Sequence, residues 1–544
     1  MQQEEPFRLV RQVLGPLPIL DRFIERIGLP EHLTEATRRA TYARALLLLL
    51  KNIVLERNAL YAIREWAAPY DPALVYGGNY SDDVLARALD CLFEVDRASL
   101  LTRVVLASVQ AYQLDLSQIH QDTTSVKLSG AYTGQQRRAV QLRRGYSKDH
   151  RPDLLQLVYE LSVTQDGAIP LLFKAHHGNR TDDTLHWQNW QMLRGLLGCS
   201  DFLYVADSKL CVSETLLNID RSQGRFITVV PRTRGEVDEF QSKVEASFVR
   251  WEKVWAKRSS RKHRRIDLYE AATGLYQMRE GFRVYWFRSS EKARRDRQER
   301  EEKIAAALGQ LGGLADPARK KRPKTDKAVR RKVEEILEHF AVKPWVRVEV
   351  TWESVEQFRQ IKRGRSSANT LYRRMVRQVP HIHYSRDEDA ISKSEHMDGI
   401  FPLATNTSLN ALAVLRAYKY QPQLEKRHAL LKSVLQVTPI FLKKNERIEA
   451  LMFVYFLAQL VSALLERQLR NAMRAQGLAH IEILPEERPS PSPTIQQIVR
   501  VFSSCARHLL LSQKGELVQT FSDPLTPIQK QILSLLAIST AAYT

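Results

Sequence analysis

LSQIHQDTTSVKL, residues Leu116–Leu128, is where the periodicity of this chain changes. Upstream, apolar residues recur at helical spacing: Leu20, Phe23, Ile24 and Ile27 form one set, and Thr37–Trp66 carries a leucine run. The quoted segment instead reads as a strand ending near Asp122. LLQLVYELSVT (Leu154–Thr164) and AIPLLFKA (Ala168–Ala175) read as two more strands, with Asp166 and Gly167 as the turn between them. A helix is expected over Thr184–Leu197, then two short strands, DFLYVADS (Asp201–Ser208) and RFITVVP (Arg225–Pro231). A meander followed by strands alternating with helices predicts a mixed α/β sheet.

Working outward, residues 1–115 are expected to form a helical N-terminal domain, either scaffold or DNA-binding. Ser81 before Asp82 and Asp83 marks one helix start. Residues 116–235 are the first part of the α/β core. Residues 236–396 break its rhythm and read as a basic insertion. It contains KRSSRKHRR (Lys257–Arg265), a charged helix at Ser290–Leu308, ARKKRPK (Ala318–Lys324), and strands at Phe282–Ser290 and Trp345–Trp352. Trp286, Trp345 and Trp352 lie among the basic runs, a mixture that favours DNA contact. The core resumes over 397–470 with the strand GIFPLATN (Gly399–Asn406). Next come a helix beginning near Leu409, a second long helix over roughly Lys419–Gln436, which admits Pro422 only in its first turn, and an apolar helix, Glu446–Arg467. ERPSPSPT (Glu487–Thr494) is a linker, and the C-terminal region, 471–544, is expected to be helical.

The bulk numbers fit this division. At 544 residues the chain is long enough for about three or four structural units. Lys and Arg number 82 against 61 acids, a formal charge of +21, which attracts polyanions such as nucleic acid. Cys91, Cys199, Cys211 and Cys505 are scattered without a C-x-x-C pair, which argues against a zinc site or a disulfide framework. No signal-peptide pattern opens the chain, and the apolar runs read as too short or interrupted to span a bilayer. A soluble cytoplasmic protein with no membrane partner is expected.

Cleaving a phosphodiester with two divalent ions requires several carboxylates converging from separate elements. Asp122 and Asp207 both stand at expected strand ends, positions where an acid also serves as an ordinary turn or helix cap. The segment AYKYQPQLEKRHALLKS (Ala417–Ser433) supplies the third acid. Spacings of three, four and seven residues place Tyr418, Gln421, Glu425 and Lys432 on one helix face. A solvated surface helix would give the same pattern. Among the histidines, His120 shares a strand face with Asp122 and is expected to be a satisfied, hydrogen-bonded side chain. Asp149 and Asp153 rank below Asp122 as acids because basic neighbours offer them ion pairs.

These segments resemble the bacterial DDE transposases of the insertion-sequence-four superfamily. Their signature around the last acid is Tyr, two residues, Arg, three residues, Glu, six residues, Lys. This chain keeps Tyr418, Glu425 and Lys432 at that spacing and has Gln421 in place of the Arg. IHQDTTS (Ile119–Ser125), GYSKDHRPDLLQL (Gly145–Leu157), GNRTDDT (Gly178–Thr184), YVADSKL (Tyr204–Leu210) and DGIFPLATN (Asp398–Asn406) resemble the family's other blocks, in order. The resemblance implies a ribonuclease H-like core with an insertion between the second Asp and the Glu. It implies Asp122, Asp207 and Glu425 as catalytic and metal-binding residues, with Mg2+ as cofactor and Mn2+ as substitute. Tyr418, Gln421 and Lys432 become DNA-binding residues, and Trp286 a candidate to stabilise a flipped base. The implied reaction is cleavage at double-stranded transposon ends, then strand transfer into target DNA, by a homodimer assembled on DNA. A ribonuclease H-like nuclease that cuts without joining, or an inactive DNA-binding descendant, is the alternative.

Overall fold

The computed structural model describes residues 7–77, 80–130, 132–145, 153–180, 185–258, 265–316, 323, 325–361, 364–367, 370–435 and 440–544. Within these bounds the protein is mixed α/β, and it divides into two compact units. The first comprises Met1–Thr228, Thr405–Ser408 and Val414–Thr544; the second comprises Val229–Ala404 and Leu409–Ala413.

The first unit opens with strand β1 (Arg8–Val13) and helices α1 (Leu17–Arg26), α2 (Leu29–Thr37), α3 (Ala40–Leu55), α4 (Ile63–Ala67), α5 (Asp82–Glu94) and α6 (Arg97–Tyr112). Ser81 caps α5 as its position suggests, its side chain accepting the Val84 N–H. Then come β2 (Gln118–Leu128), β3 (Leu155–Thr164), β4 (Pro170–His177), α7 (His186–Leu197), β5 (Leu203–Val205), α8 (Ser213–Arg221) and β6 (Arg225–Val229). The second unit holds α9 (Gly235–Glu245), β7 (Trp251–Arg258), β8 (Ile266–Ala272), β9 (Tyr276–Gln277), β10 (Arg283–Ser289), α10 (Ser290–Ala315), α11 (Asp326–His339), β11 (Val346–Gln360), β12 (Tyr372–Arg386), α12 (Glu388–Glu395) and β13 (Ile400–Thr405). The chain returns to the first unit through α13 (Ala411–Tyr418), α14 (Gln421–Ala429), α15 (Asn445–Ala475), α16 (Ile495–Phe502), β14 (Ala506–Leu511), β15 (Leu517–Ser522) and α17 (Pro527–Leu535).

In the first unit the core strands lie in the order β4-β3-β2-β5-β6. The meander β2-β3-β4 is antiparallel, and β5 and β6 run parallel to β2 and to each other. Gly167, at φ +89°, makes the expected turn between β3 and β4. Helix α15 is the centre of the unit. It packs against α1, α3, α5, α16, α17 and β4. By length and composition it could cross a membrane, although its sequence reads as interrupted; here its apolar stretch is 94% buried inside the protein. A helix apolar all round belongs in a core. The leucine run of α3 is buried as well, and α1, α3 and α5 pack against α15.

The terminal regions are not purely helical. β1 pairs antiparallel with β14, and β14 with β15, closing a three-stranded sheet from both ends of the chain. Leu509–Leu511 is a short apolar run that periodicity alone cannot assign, and its strand partner lies nearly the whole chain away.

In the second unit β13, β10, β8 and β7 form one sheet, with β9 beside β10. β11 and β12 form a separate ribbon of fifteen residue pairs, much longer than the strand expected at Trp345–Trp352. The basic run Arg261–Arg264 and residues 318–322 and 324 fall outside the described residues.

Candidate active site

Asp122 lies in mid-strand, not at a strand end. The residues that follow it do not turn. Thr123, Thr124 and Ser125 pair with Glu160, Tyr159 and Val158 of β3, and all three are buried. Two-residue alternation puts Gln118, His120 and Asp122 on one face of β2. In the parallel β2–β5 register His120 stands beside Val205. Asp207, two residues on, continues Val205's parity and comes off the sheet on the same side. There it caps a short turn, its carboxylate accepting the Lys209 N–H at 2.9 Å and its carbonyl the Thr228 hydroxyl at 2.7 Å.

Helix α14 brings the third acid to this face. The two helices expected here are both present: α13 ends at Tyr418 and α14 begins at Gln421. Pro422 then falls in the first turn of α14, where it removes no helical hydrogen bond. α14 runs into a π-helical turn, Leu430–Val434, which carries Lys432. Glu425 is exposed, while Gln421, Leu424 and His428 are buried against the protein.

The observation that ties the three acids together is electrostatic. Tyr418 is held well above the ordinary phenol range, first by burial, then by the charges of Asp207, Glu425 and Asp122. Each carboxylate is near enough for its charge to act on that one phenol, which stays protonated. His428 Nε2 lies 3.7 Å from Asp122 Oδ2. Sequence reasoning passed over His428, although a histidine three residues after Glu425 belongs to the same helix face.

The carboxylate donor set is of the kind hard divalent ions prefer. Among the described residues, however, no three His, Cys, Asp or Glu side chains stand at metal-ligand spacing. The three acids share a region; they do not, as placed, form a closed coordination shell.

Gln421 does not reach outward to DNA as the resemblance implies. Its Oε1 accepts His120 Nδ1–H at 2.7 Å and its Nε2 donates to the Gln121 carbonyl at 3.0 Å. His120 Nε2 accepts from Gln118 Nε2 at 2.7 Å, and the same amide donates to the Ala417 carbonyl. Burial pushes the His120 pKa down to about 4, against a partial upward pull from Gln421, so the ring is neutral and satisfied, as expected. An Arg at 421 would offer His120 no acceptor. The chain Gln118–His120–Gln421 pins the start of α14 to β2, two residues from Asp122.

The opposite side of α14 is built for support. Arg427 donates to the Ala168 and Gly167 carbonyls at 3.0 and 2.9 Å and to Glu466 of α15 at 2.9 Å. Glu466 also accepts the Ile495 N–H at 3.0 Å. Gln459 of α15 donates to the Arg427 carbonyl and accepts from Tyr159 of β3. A cavity of about 770 Å³ opens on this side, lined by Tyr420, Gln423, Lys426, Arg427, Arg470 and Arg474 among others.

Trp286 is not available to a flipped base. It is 2% exposed and stacked on Phe240, with ring centroids 3.8 Å apart. Trp345 and Trp352 spend their indole N–H groups on Ser394 and Asp326, at 2.8 and 2.9 Å. His176 is tied to Glu160 at 2.6 Å. Asp149, His150, Arg151, Asp182 and Asp183 lie outside the described residues.

No family model and no curated protein matches the chain. Among solved structures it is similar to a piggyBac transposase in a synaptic complex with hairpin DNA, at 12% identity and a TM-score of 0.28. The match covers 52% of this chain and 63% of that one, under two thirds of the transposase's length. A superposition at that score assigns neither fold nor function.

Proposed function

We propose that this protein is a metal-dependent DNA transposase of the DDE type with a ribonuclease H-like core, cutting at transposon ends and joining the freed 3′ end to target DNA. The observation that supports the reading is that the charges of Asp207, Glu425 and Asp122 all act on the one Tyr418 phenol. These are the three acids that the insertion-sequence-four resemblance selects from 61 acidic residues, and they come from a mid-sheet strand, a strand end and a helix. A meander continued by two parallel strands, with one acid on the first strand and one just past the end of the fourth, supports the same fold. The family assignment rests on the quoted motifs alone.

The chain's own residues have definite tasks in this reading. Asp122, Asp207 and Glu425 would hold Mg2+ or Mn2+. The bound ions supply activation of the attacking oxygen and stabilisation of the leaving one. Tyr418 keeps a neutral phenol within reach of the three charges. His428 faces Asp122 and restrains its orientation. Lys432, seven residues beyond Glu425, offers a cation to a backbone phosphate. Double-stranded DNA partners, a homodimer assembled on DNA and a cytoplasmic location belong to the same proposal.

The test pairs a gel-shift titration with a cleavage assay in Mg2+ on duplex carrying the element's ends. Asp207→Ala, checked for folding by circular dichroism, is expected to bind the ends and leave them uncut. A folded variant that cuts at near the native rate removes Asp207 from the site. Cut but never joined products from the native protein would favour the nuclease alternative.

A further inference from the structure

The ribbon β11–β12 has two halves. Near its base one face is apolar: Val346, Val348, Val350, Trp352 and Ile382 pack into a core cluster that includes Ile304 and Leu311 of α10 and Val329 and Val333 of α11. Beyond Ser354 and Gln378 that support ends. The distal six pairs, Val355–Gln360 against Tyr372–Arg377, span about 20 Å at strand rise. Every residue of their second strand is exposed.

Charge in the distal half is one-sided. Arg359, Arg373, Arg374 and Arg377 stand against a single acid, Glu356, which is ion-paired to Arg374. Strand alternation sorts them by face. Glu356, Phe358, Arg374 and Val376 share one face; Arg359, Arg373, Met375 and Arg377 share the other, which has no acid over three consecutive pairs. Arg359 and Arg373 are direct cross-strand partners. Like charges facing each other across a ladder oppose pairing, and a polyanion laid against that face relieves the repulsion. The large exposed side chains Phe358 (64%) and Val376 (58%) add contact surface on the other face.

We propose that the distal β11–β12 ribbon is a duplex-DNA-docking arm that enters the major groove with the Arg359–Arg373–Arg377 face against the nucleic acid. The B-form major groove, about 12 Å wide, admits a two-stranded ribbon. Neutralising phosphates releases counterions, so each contact steepens the salt dependence of binding. The inference rests on DNA as the partner and adds which element meets it.

The experiment uses the full chain and mixed-sequence duplex, with binding read by fluorescence anisotropy across a salt series. The triple variant Arg359→Gln, Arg373→Gln, Arg377→Gln alters exposed positions only. A second triple, Arg330→Gln, Arg331→Gln, Lys332→Gln on α11, loses the same formal charge. The ribbon triple is expected to bind at least tenfold more weakly at moderate salt and to flatten the log–log salt slope by about 2–3, at about 0.9 per phosphate contact. The α11 triple should flatten it by less than about 1. A photo-crosslinker at Met375 should attach to DNA in the native background. Equal behaviour of the two triples, with no crosslink, overturns the ribbon inference while leaving DNA binding intact. So does a ribbon triple that alters only self-association in sedimentation, which would assign the face to a second copy. Failure of the native chain to bind duplex at any salt overturns the proposed function and this inference together.

Discussion

Two residues apart on α14, Glu425 and Arg427 live in opposite environments. Glu425 is exposed, and its charge acts on the same phenol as those of Asp122 and Asp207. Arg427 is buried on the other side of the helix, hydrogen-bonded to the β3–β4 turn and to Glu466 of α15. The difference separates chemistry from support: one side of the helix holds charge in reach of solvent, and the other fixes where that charge stands. Substitutions on the two sides should therefore fail in different ways.

The largest effect is expected at Glu425. Glu425→Gln should lower cleavage roughly a thousandfold or more, the loss of several kcal/mol of transition-state stabilisation. Its thermal stability should match the native protein, since no core contact is lost. A variant that melts early would place Glu425 on the supporting side and erase the contrast. Arg427→Met is the converse. Removing Arg427 takes from the buried Glu466 its 2.9 Å partner and leaves it Arg470 at 3.4 Å and the Ile495 N–H, at a cost of about 3 kcal/mol. Adding Glu466→Met should restore most of that stability in urea titrations. If the double variant is no more stable than the single, the pair is not what holds the helix.

A smaller effect concerns the strap between α14 and β2. His120 is neutral in the fold, with its pKa near 4 against 6.5 ordinarily, mainly through burial. The unfolded chain binds the proton that the folded chain refuses. This contribution to stability is therefore complete above pH 6.5 and is lost as pH falls towards 4, by about 3 kcal/mol at most. His120→Gln should have a shallower stability–pH curve over that window; parallel curves would contradict the assignment. The smallest effect is expected for Gln421→Arg, which restores the family's residue. It should cost about 1–3 kcal/mol by leaving His120 Nδ1–H without its acceptor, and it should add no DNA affinity. Tighter binding at unchanged stability would put position 421 back on the DNA-facing surface.

The sequence alone was enough for the meander, the parallel strands and the position of Pro422, because each depends on local pattern. It misplaced Asp122 at a strand end, since Thr123, Thr124 and Ser125 look like turn residues until β3 is laid beside them. It missed the β14–β15 hairpin, whose stabilising partner β1 is at the other end of the chain. It missed most of β11–β12, because strands exposed on both faces lack the clean alternation that burial imposes. In the candidate site, spacing placed Tyr418, Gln421, Glu425 and Lys432 on one helix face, yet Gln421 turns inward to His120 and Gln121. Burial by β2, not helical position, decides the direction in which that amide is used. Trp286 shows the same limit: composition placed it among basic residues, whereas packing placed it against Phe240.

The central claim, that Asp122, Asp207 and Glu425 form one carboxylate centre, is tested most directly by iron-mediated backbone cleavage. Fe2+ substituted for Mg2+ and treated with ascorbate and peroxide cuts the chain next to wherever the ion binds. The account predicts fragments ending near residues 122, 207 and 425 in the native protein, and the loss of all three cuts together in Asp207→Asn. Cuts confined to other segments, or cuts at 122 and 425 that persist without Asp207, would contradict it.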